Sequence, residues 1–255
     1  MDVNKNSTTF GFTVIMVIIV AALLSTAAIE LKPFQDRNVE LEKKQNILSS
    51  VGVTIDRDGA ENIYDTYIKS ELVLNAKGEQ VQGSAFDVDL GVEMKKDANA
   101  QLLPLFISNV EGVTRYIIPL RGKGLWGPIW GFISLEEDLN SVFGAVFDHK
   151  SETPGLGAEI NRASFEDPFS GKSIFEGEEF TSIKVIKGGA EEGDMHGVDG
   201  ISGGTITSDG VSDMLDERLR MYLPYFSTLK PAVELDSVFN PLVSIASVDN
   251  SIIIN

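Results

Sequence analysis

Asp199-Gly200-Ile201-Ser202-Gly203-Gly204-Thr205-Ile206-Thr207-Ser208 sets a row of hydroxyls on a glycine hinge, directly ahead of a helical pattern. Val211, Met214, Leu215, Leu219 and Leu223 then recur at helical spacing. Ser208 is the expected N-cap and Pro224 the expected end of that helix. Glycines allow positive φ and a close approach of backbone to a ligand. A helix start leaves N–H groups free, and these attract an anion. The stretch therefore suits a phosphate group beside the Thr205 hydroxyl. An ordinary glycine turn with a Ser or Thr cap has the same local pattern, so the rest of the chain must decide between them.

Moving back along the chain, Gly188 to Gly197 reads as a polar loop, Phe180 to Ile186 as a strand and Glu159 to Phe165 as a short helix. Before these stands Glu152-Thr153-Pro154-Gly155-Leu156-Gly157, where Pro154-Gly155 calls for a tight turn and Gly157 for a second unusual backbone position. Earlier still, Arg121-Gly122-Lys123-Gly124-Leu125-Trp126-Gly127-Pro128 is a glycine-rich loop with an exposed-prone Trp. It is flanked by β-type runs at Arg115 to Leu120, Ile129 to Leu135 and Val142 to Phe147. Strand-like runs also occur at Glu71 to Asn75, Phe86 to Glu93 and Leu102 to Ser108, with a turn at Lys77-Gly78. Runs of strand and helix mixed in this way give an α+β domain.

Three glycine loops bearing polar or aromatic side chains suit one ligand surface. A planar cofactor needs apolar walls such as Trp126 and Leu156, backbone donors for its ring edge, and a phosphate seat at a helix start. Three hairpin turns without a ligand remain an alternative. No G-x-G-x-x-G loop, P-loop or G-x-S-x-G elbow occurs. The carboxylate runs Glu136-Glu137-Asp138 and Glu191-Glu192 suit solvated surface charge.

The 255 residues carry 21 Lys and Arg against 38 Asp and Glu, a net charge of −17 that repels nucleic-acid backbones. There are no cysteines, which removes disulfides, thiolate metal sites and Cys nucleophiles. His149 and His196 are too few for a multi-histidine metal site, and no metal is expected.

Phe10 to Ile29 runs for 20 residues without a charge, enough at about 1.5 Å per residue to span roughly 30 Å of hydrocarbon. The apolar run is long for a signal peptide and its n-region holds only Lys5, so a retained anchor is expected. Flanking charge does not set its orientation. Glu30 to Ser50 continues as a polar helical stalk, with Pro33 in its first turn and Gly52 as its stop. The expected organisation is a tail and anchor at 1–32, a domain with its stalk at 33–225, and a tail at 226–255.

Ser202-Gly-Gly-Thr205-Ile-Thr-Ser208 after Asp199 resembles the flavinylation motif of the FMN-binding domain family. That motif runs Asp, a few residues, Ser or Thr, Gly, Ala, then an acceptor Thr. The acceptor matches Thr205, and Gly204 stands where Ala is usual, which predicts a looser loop. Gly122-Lys-Gly-Leu-Trp-Gly-Pro-Ile-Trp-Gly131, Glu152-Thr-Pro-Gly-Leu-Gly-Ala-Glu-Ile160 and Asn38-Val-Glu-Leu-Glu-Lys-Lys-Gln-Asn-Ile-Leu48 resemble blocks of the C-subunit family of sodium-translocating NADH:quinone oxidoreductases. The G subunits of Rnf-type complexes share the acceptor motif but lack the Gly-Leu-Trp-Gly-Pro-Ile-Trp form.

The resemblance implies FMN joined by a phosphoester to Thr205, relaying electrons within a membrane complex with subunits A, B, D, E and F. Asp199, Ser202, Gly203, Gly204, Thr207 and Ser208 would hold the phosphate side. Leu125, Trp126 and Leu156 would wall the ring, and Glu152, Thr153, Gly155 and Gly157 would shape its polar edge. No base stands near the acceptor in the sequence, so a separate flavin transferase is expected. The family places the domain on the periplasmic face of the bacterial inner membrane, with the N-terminus in the cytoplasm. The span holds no charge, so a sodium path is expected in partner subunits. Two alternatives remain at this point: an Rnf-type ferredoxin-linked subunit, and an anchored extracytoplasmic scaffold without flavin.

Overall fold

A computed structural model describes residues 6–239 of the chain. Helix α1 (Asn6–Ser50) is followed by α2 (Ala60–Tyr67), strands β1 (Ile68–Leu74) and β2 (Gln80–Val81), and the one-turn helix α3 (Leu90–Glu93). Strands β3 (Leu103–Val110), β4 (Val113–Lys123), β5 (Pro128–Leu135) and β6 (Val142–His149) come next, then the short α4 (Ala163–Glu166). Short strands β7 (Phe175–Glu176), β8 (Glu179–Phe180), β9 (Lys184–Ile186) and β10 (Gly197–Asp199) lead into α5 (Thr205–Phe239).

Six strands form one antiparallel sheet in the order β2-β1-β3-β4-β5-β6. Alternation along the strands sends Ile118, Leu120, Ile129 and Ile133 to one face and Ile117, Phe132 and Phe106 to the other. The first face buries Val211, Met214, Leu215, Leu219, Tyr222 and Phe226 of α5. Each such side chain contributes roughly 1.5–3 kcal/mol on leaving water. The second face packs on Ile47, Leu48 and Val51 at the end of α1, and on Tyr64 of α2.

The end of α1 is locked to the sheet. Gly52 adopts φ +81°, and Val53 N–H donates to Leu48 O while Gly52 N–H donates to Ser49 O, closing the helix by the left-handed glycine stop that the sequence suggests. The Ser134 hydroxyl on β5 donates to Ser50 O. Seven residues earlier, the Lys43 ammonium donates to Phe86 O and lies over the Phe86 ring, next to the strand ends that border the β4–β5 hairpin. Followed toward its N-terminus, α1 therefore runs from the Ser134 end of the sheet toward the hairpin end.

Several expectations need correction. Phe86–Glu93 is not a strand but a 3-10 turn leading into α3, where the Asp89 carboxylate caps Gly91 N–H. Phe180–Ile186 breaks at Ser182, which sits at φ +63° and splits β8 from β9. Glu159–Phe165 is a 3-10 turn and a helical turn separated by extended Arg162. Pro33 lies inside the continuous α1 rather than at a helix start. Its missing N–H frees the Ile29 carbonyl just where the apolar run ends and polar surroundings can satisfy it. Pro224 likewise does not end α5. Tyr222 and Phe226 are buried on either side of it, and Gly78 of the β1–β2 turn lies against Pro224 and Tyr225, so tertiary packing carries the helix past the proline. The expected tail at 226–255 thus begins within α5, and residues 240–255 lie outside the described part.

Candidate functional site

The three glycine loops meet at one end of the sheet, and a buried carboxylate holds them together. Glu152, 5% exposed, accepts from Trp126 N–H through Oε1 at 2.8 Å and from the Thr207 hydroxyl through Oε2 at 2.7 Å. One side chain thus bridges the β4–β5 hairpin, its own loop and α5. The hairpin closes tightly, with Gly124 N–H donating to Gly127 O at 2.8 Å, and the Ser151 hydroxyl donates to Trp126 O. Glu152 N–H in turn donates to His149 Nδ1 at 3.2 Å.

Glycines make room for this closure. A methyl group at Gly157 would overlap Thr207 Oγ1 and lie 2.6 Å from Glu152 Oε2. Gly157 is therefore needed for close approach, not for the unusual backbone angle expected from sequence; the left-handed residue is Gly155, at φ +75°. At Gly124 a methyl would meet Glu152 Oε1 at 2.5 Å, and at Gly210 it would overlap Lys123 O. The start of α5 consequently sits directly on the hairpin.

The helix begins at Thr205, four residues earlier than a Ser208 cap would allow, and Ser208 N–H already donates to Gly204 O. The Ser208 hydroxyl instead reaches back to accept from Ile201 N–H at 3.1 Å, fixing the preceding turn. Gly203 supplies φ +76° there. Gly204 is buried, and a methyl on it would come within 3.0 Å of Ile201 Cγ2. An added methyl would also lie 3.3 Å from Gly157 N, so Gly204 packs closely between Ile201 and the Gly157 loop.

The hydroxyls of the stretch have different fates. Thr207 is 1% exposed and bonded to Glu152, and Ser208 is buried and bonded to Ile201. Thr205 is half-buried at the first turn of α5, and among the described residues its hydroxyl has no hydrogen-bond partner. Ser202 is exposed beside it in sequence. Asp199 turns elsewhere: its carboxylate accepts from Ala190 N–H at 2.8 Å and organises the Gly188–Gly189 loop. Thr153 O accepts from Leu156 and Ala158 N–H, so its backbone shapes the turn while its side chain stays exposed.

An apolar lip rims the junction. Trp126 is 65% exposed, and Leu125 and Leu156 are also exposed. Leu156 lies against Gly203, where a methyl would be 2.6 Å from its Cδ2. Ile206, 57% exposed, adds an apolar side chain that sequence reasoning overlooked. Its signal was an isoleucine set among hydroxyls at a helix start, a position where an exposed apolar residue serves no fold. The lip beside a helix N-terminus fits a ligand with a flat apolar body and an anionic end.

Comparison with known proteins agrees with that chemistry. Residues 124–220 match the FMN-binding domain family. The chain is 32% identical over 225 residues to the C subunit of the Na(+)-translocating NADH-quinone reductase of Vibrio vulnificus, covering 82% of this chain and 88% of the relative. The chain belongs to this family of C subunits. The crystal structure of the C subunit from Parabacteroides distasonis superposes with a TM-score of 0.72 at 43% identity, covering 77% of this chain and 97% of that one. The Shewanella oneidensis protein gives 0.67 at 25% identity, covering 75% and 98%. The α+β FMN-binding fold after one long apolar helix is thus a property of this chain. The matched span of 124–220 holds the first glycine loop from Gly124 onward and the other two loops entire.

Proposed function

We propose that this chain carries electrons within a sodium-translocating NADH:quinone reductase through FMN joined by a phosphoester to Thr205 Oγ1. The observation that carries the proposal is the contrast between hydroxyls at the helix start. Thr205 is free at the first turn of α5, whereas Thr207 is buried and committed to Glu152. A phosphoryl group on Thr205 would meet the unpaired N–H groups and positive end of α5. Ser202 and the backbone at Gly203 and Gly204 would complete its seat. Leu125, Trp126, Leu156 and Ile206 would cover the flat ring, and the backbone of the Thr153–Gly157 loop would meet its edge. Bound FMN supplies the one- and two-electron chemistry; the protein fixes its position and surroundings.

Among the described residues no side chain is hydrogen-bonded to the Thr205 hydroxyl to activate it, and Glu152 accepts from Trp126 N–H and from Thr207. Attachment would then fall to a separate flavin transferase acting on the exported chain. Residues Phe10–Ile29 of α1 form an exposed apolar helix long enough to cross a membrane. We take it as a single-pass anchor in the inner membrane, with the N-terminus in the cytoplasm and the domain in the periplasm beside subunits A, B, D, E and F. Tethering raises the local concentration of redox partners. Because α1 runs toward the hairpin end of the sheet, the anchor leaves the domain on the side of the flavin loops, which suits exchange with membrane partners. The Rnf and scaffold alternatives lose support from the extended match to C subunits.

Co-expression with a flavin transferase followed by denaturing gel fluorescence tests the attachment. The parent chain and Thr207→Ser should fluoresce, and Thr205→Ala should be dark. A fluorescent Thr205→Ala band would overturn the assignment.

A further inference from the structure

A second concavity lies on the α1-facing side of the sheet, opposite the face that packs on α5, between α1 and the uncovered half of the sheet, with a volume of about 550 Å³. Its floor is apolar and aromatic: Pro119 pairs with Phe132 and Arg121 with Trp130 across β4 and β5, so their side chains share the α1-facing surface. The α1 helix covers only the Ser134 end of that surface, leaving Trp130 half-exposed. Val39, 65% exposed, borders the opening from the stalk side.

The rim is acidic. Asp36, Glu40, Glu42, Asp87 and Asp89 line it against the cations Lys43 and Arg121. Lys43 is already engaged with Phe86, through its carbonyl and its ring. Among the described residues Glu42, Asp87 and Asp89 form no salt bridge, and Glu42 and Asp87 are exposed. The groove also lies close to the anchor, since about 10 Å of helix separates Ile29 from Asp36 at about 1.5 Å per residue. An occupant must thus be near the membrane, cationic at its edges and apolar at its centre. Anionic lipid headgroups meet the wrong charge here.

We infer that this groove receives a Lys- or Arg-bearing segment, with a central apolar side chain, from the extramembrane surface of a membrane-embedded partner subunit. Charge complementarity sets the register, and the Trp130–Phe132 floor receives the apolar anchor. The inference rests on the placement of the chain in a membrane complex, which co-purification checks separately.

This chain has no native cysteine, so within the full complex it carries a label only at an introduced position. A benzophenone maleimide is attached to Val39→Cys, and to Glu176→Cys at the exposed end of β7 as reference. Irradiation should join position 39 to another subunit through a peptide containing Lys or Arg, at about tenfold the reference yield. Adding Glu42→Lys with Asp87→Lys should reduce that product about tenfold while flavin fluorescence of the chain persists. Raising KCl should weaken it as well. A product with this chain's own residues 240–255, with a second copy or with lipid would overturn the inference. So would an assembled complex with no product, or one indifferent to the double substitution. Failure to co-purify at all would instead count against the complex assignment on which the groove's proximity to the membrane depends.

Discussion

Gly157 leaves no space for a methyl group between Thr207 Oγ1 and Glu152 Oε2. Gly157→Ala should push those two groups apart, costing about 1–3 kcal/mol by overpacking. Flavinylation should fall with it, as seen by gel fluorescence and the melting temperature; an unchanged melting curve would contradict the close approach. Glu152→Ala removes the acceptor for Trp126 N–H and for the Thr207 hydroxyl. Leaving those donors unpaired should cost roughly 1.5–3 kcal/mol, given the charged acceptor. Glu152→Gln keeps a carbonyl oxygen for one donor and an amide that Thr207 can accept from, so it should retain much of the stability and flavin loading. Equal losses in the two variants would argue that charge, rather than bridging, is what Glu152 provides. The types of these residues are legible in the sequence, since Glu152 and Gly157 stand in a conspicuous loop. Their partners are not, because a contact between positions 152 and 207 depends on how α5 packs against the hairpin.

Helix and strand ends show the same division. The left-handed glycine at Gly52 is legible as a stop, because φ +81° is a local demand that glycine meets. Pro33 and Pro224 look like boundaries and are not, because buried neighbours of Pro224 and the long apolar run before Pro33 override a local cost. Ser208 looks like a cap because its pattern is local, while the turn it braces, at Ile201, belongs to tertiary closure. Two further tests belong to this scale. Ser134→Ala removes the bond to Ser50 O that fastens α1 to β5, and amide exchange should speed up at Val51 to Val53 while the flavin loops stay protected. Exchange that rises equally at both ends would show that the lock is not local. On α4, burial raises the Glu166 pKa above the ordinary carboxylate range, against the opposing bond from Phe147 N–H. The folded state then holds its proton more tightly than the unfolded chain, so stability falls as pH rises through the raised pKa. Glu166→Gln should therefore melt higher than the parent at pH near 8, with the gap closing as pH drops toward the ordinary value of about 4.3. A gap that does not vary with pH would contradict the burial cost.

For the whole molecule, composition and the charge-free run point to an acidic α+β domain on an apolar helix before any contact is known. The central sheet is legible as hydrophobic runs, but its order and the path of α1 across it are not. That path follows from long-range bonds such as Ser134 to Ser50 and Lys43 to Phe86, which leave no trace in local pattern. It matters to the proposed function because it brings the apolar run to the end of the domain where the three glycine loops meet. The full chain should resist extraction from membranes by carbonate, whereas a chain beginning at Glu30 should be released with its flavin domain folded. Extraction of the full chain under the same conditions would contradict a membrane anchor. Attachment at one hydroxyl remains the claim on which the electron-carrying role depends. Tandem mass spectrometry of the peptide spanning Gly200–Arg218, taken from chain matured with a flavin transferase, reads that hydroxyl directly. The predicted result is FMN mass on Thr205 alone; FMN mass on Thr207 or Ser208, or an unmodified peptide from yellow protein, would contradict it.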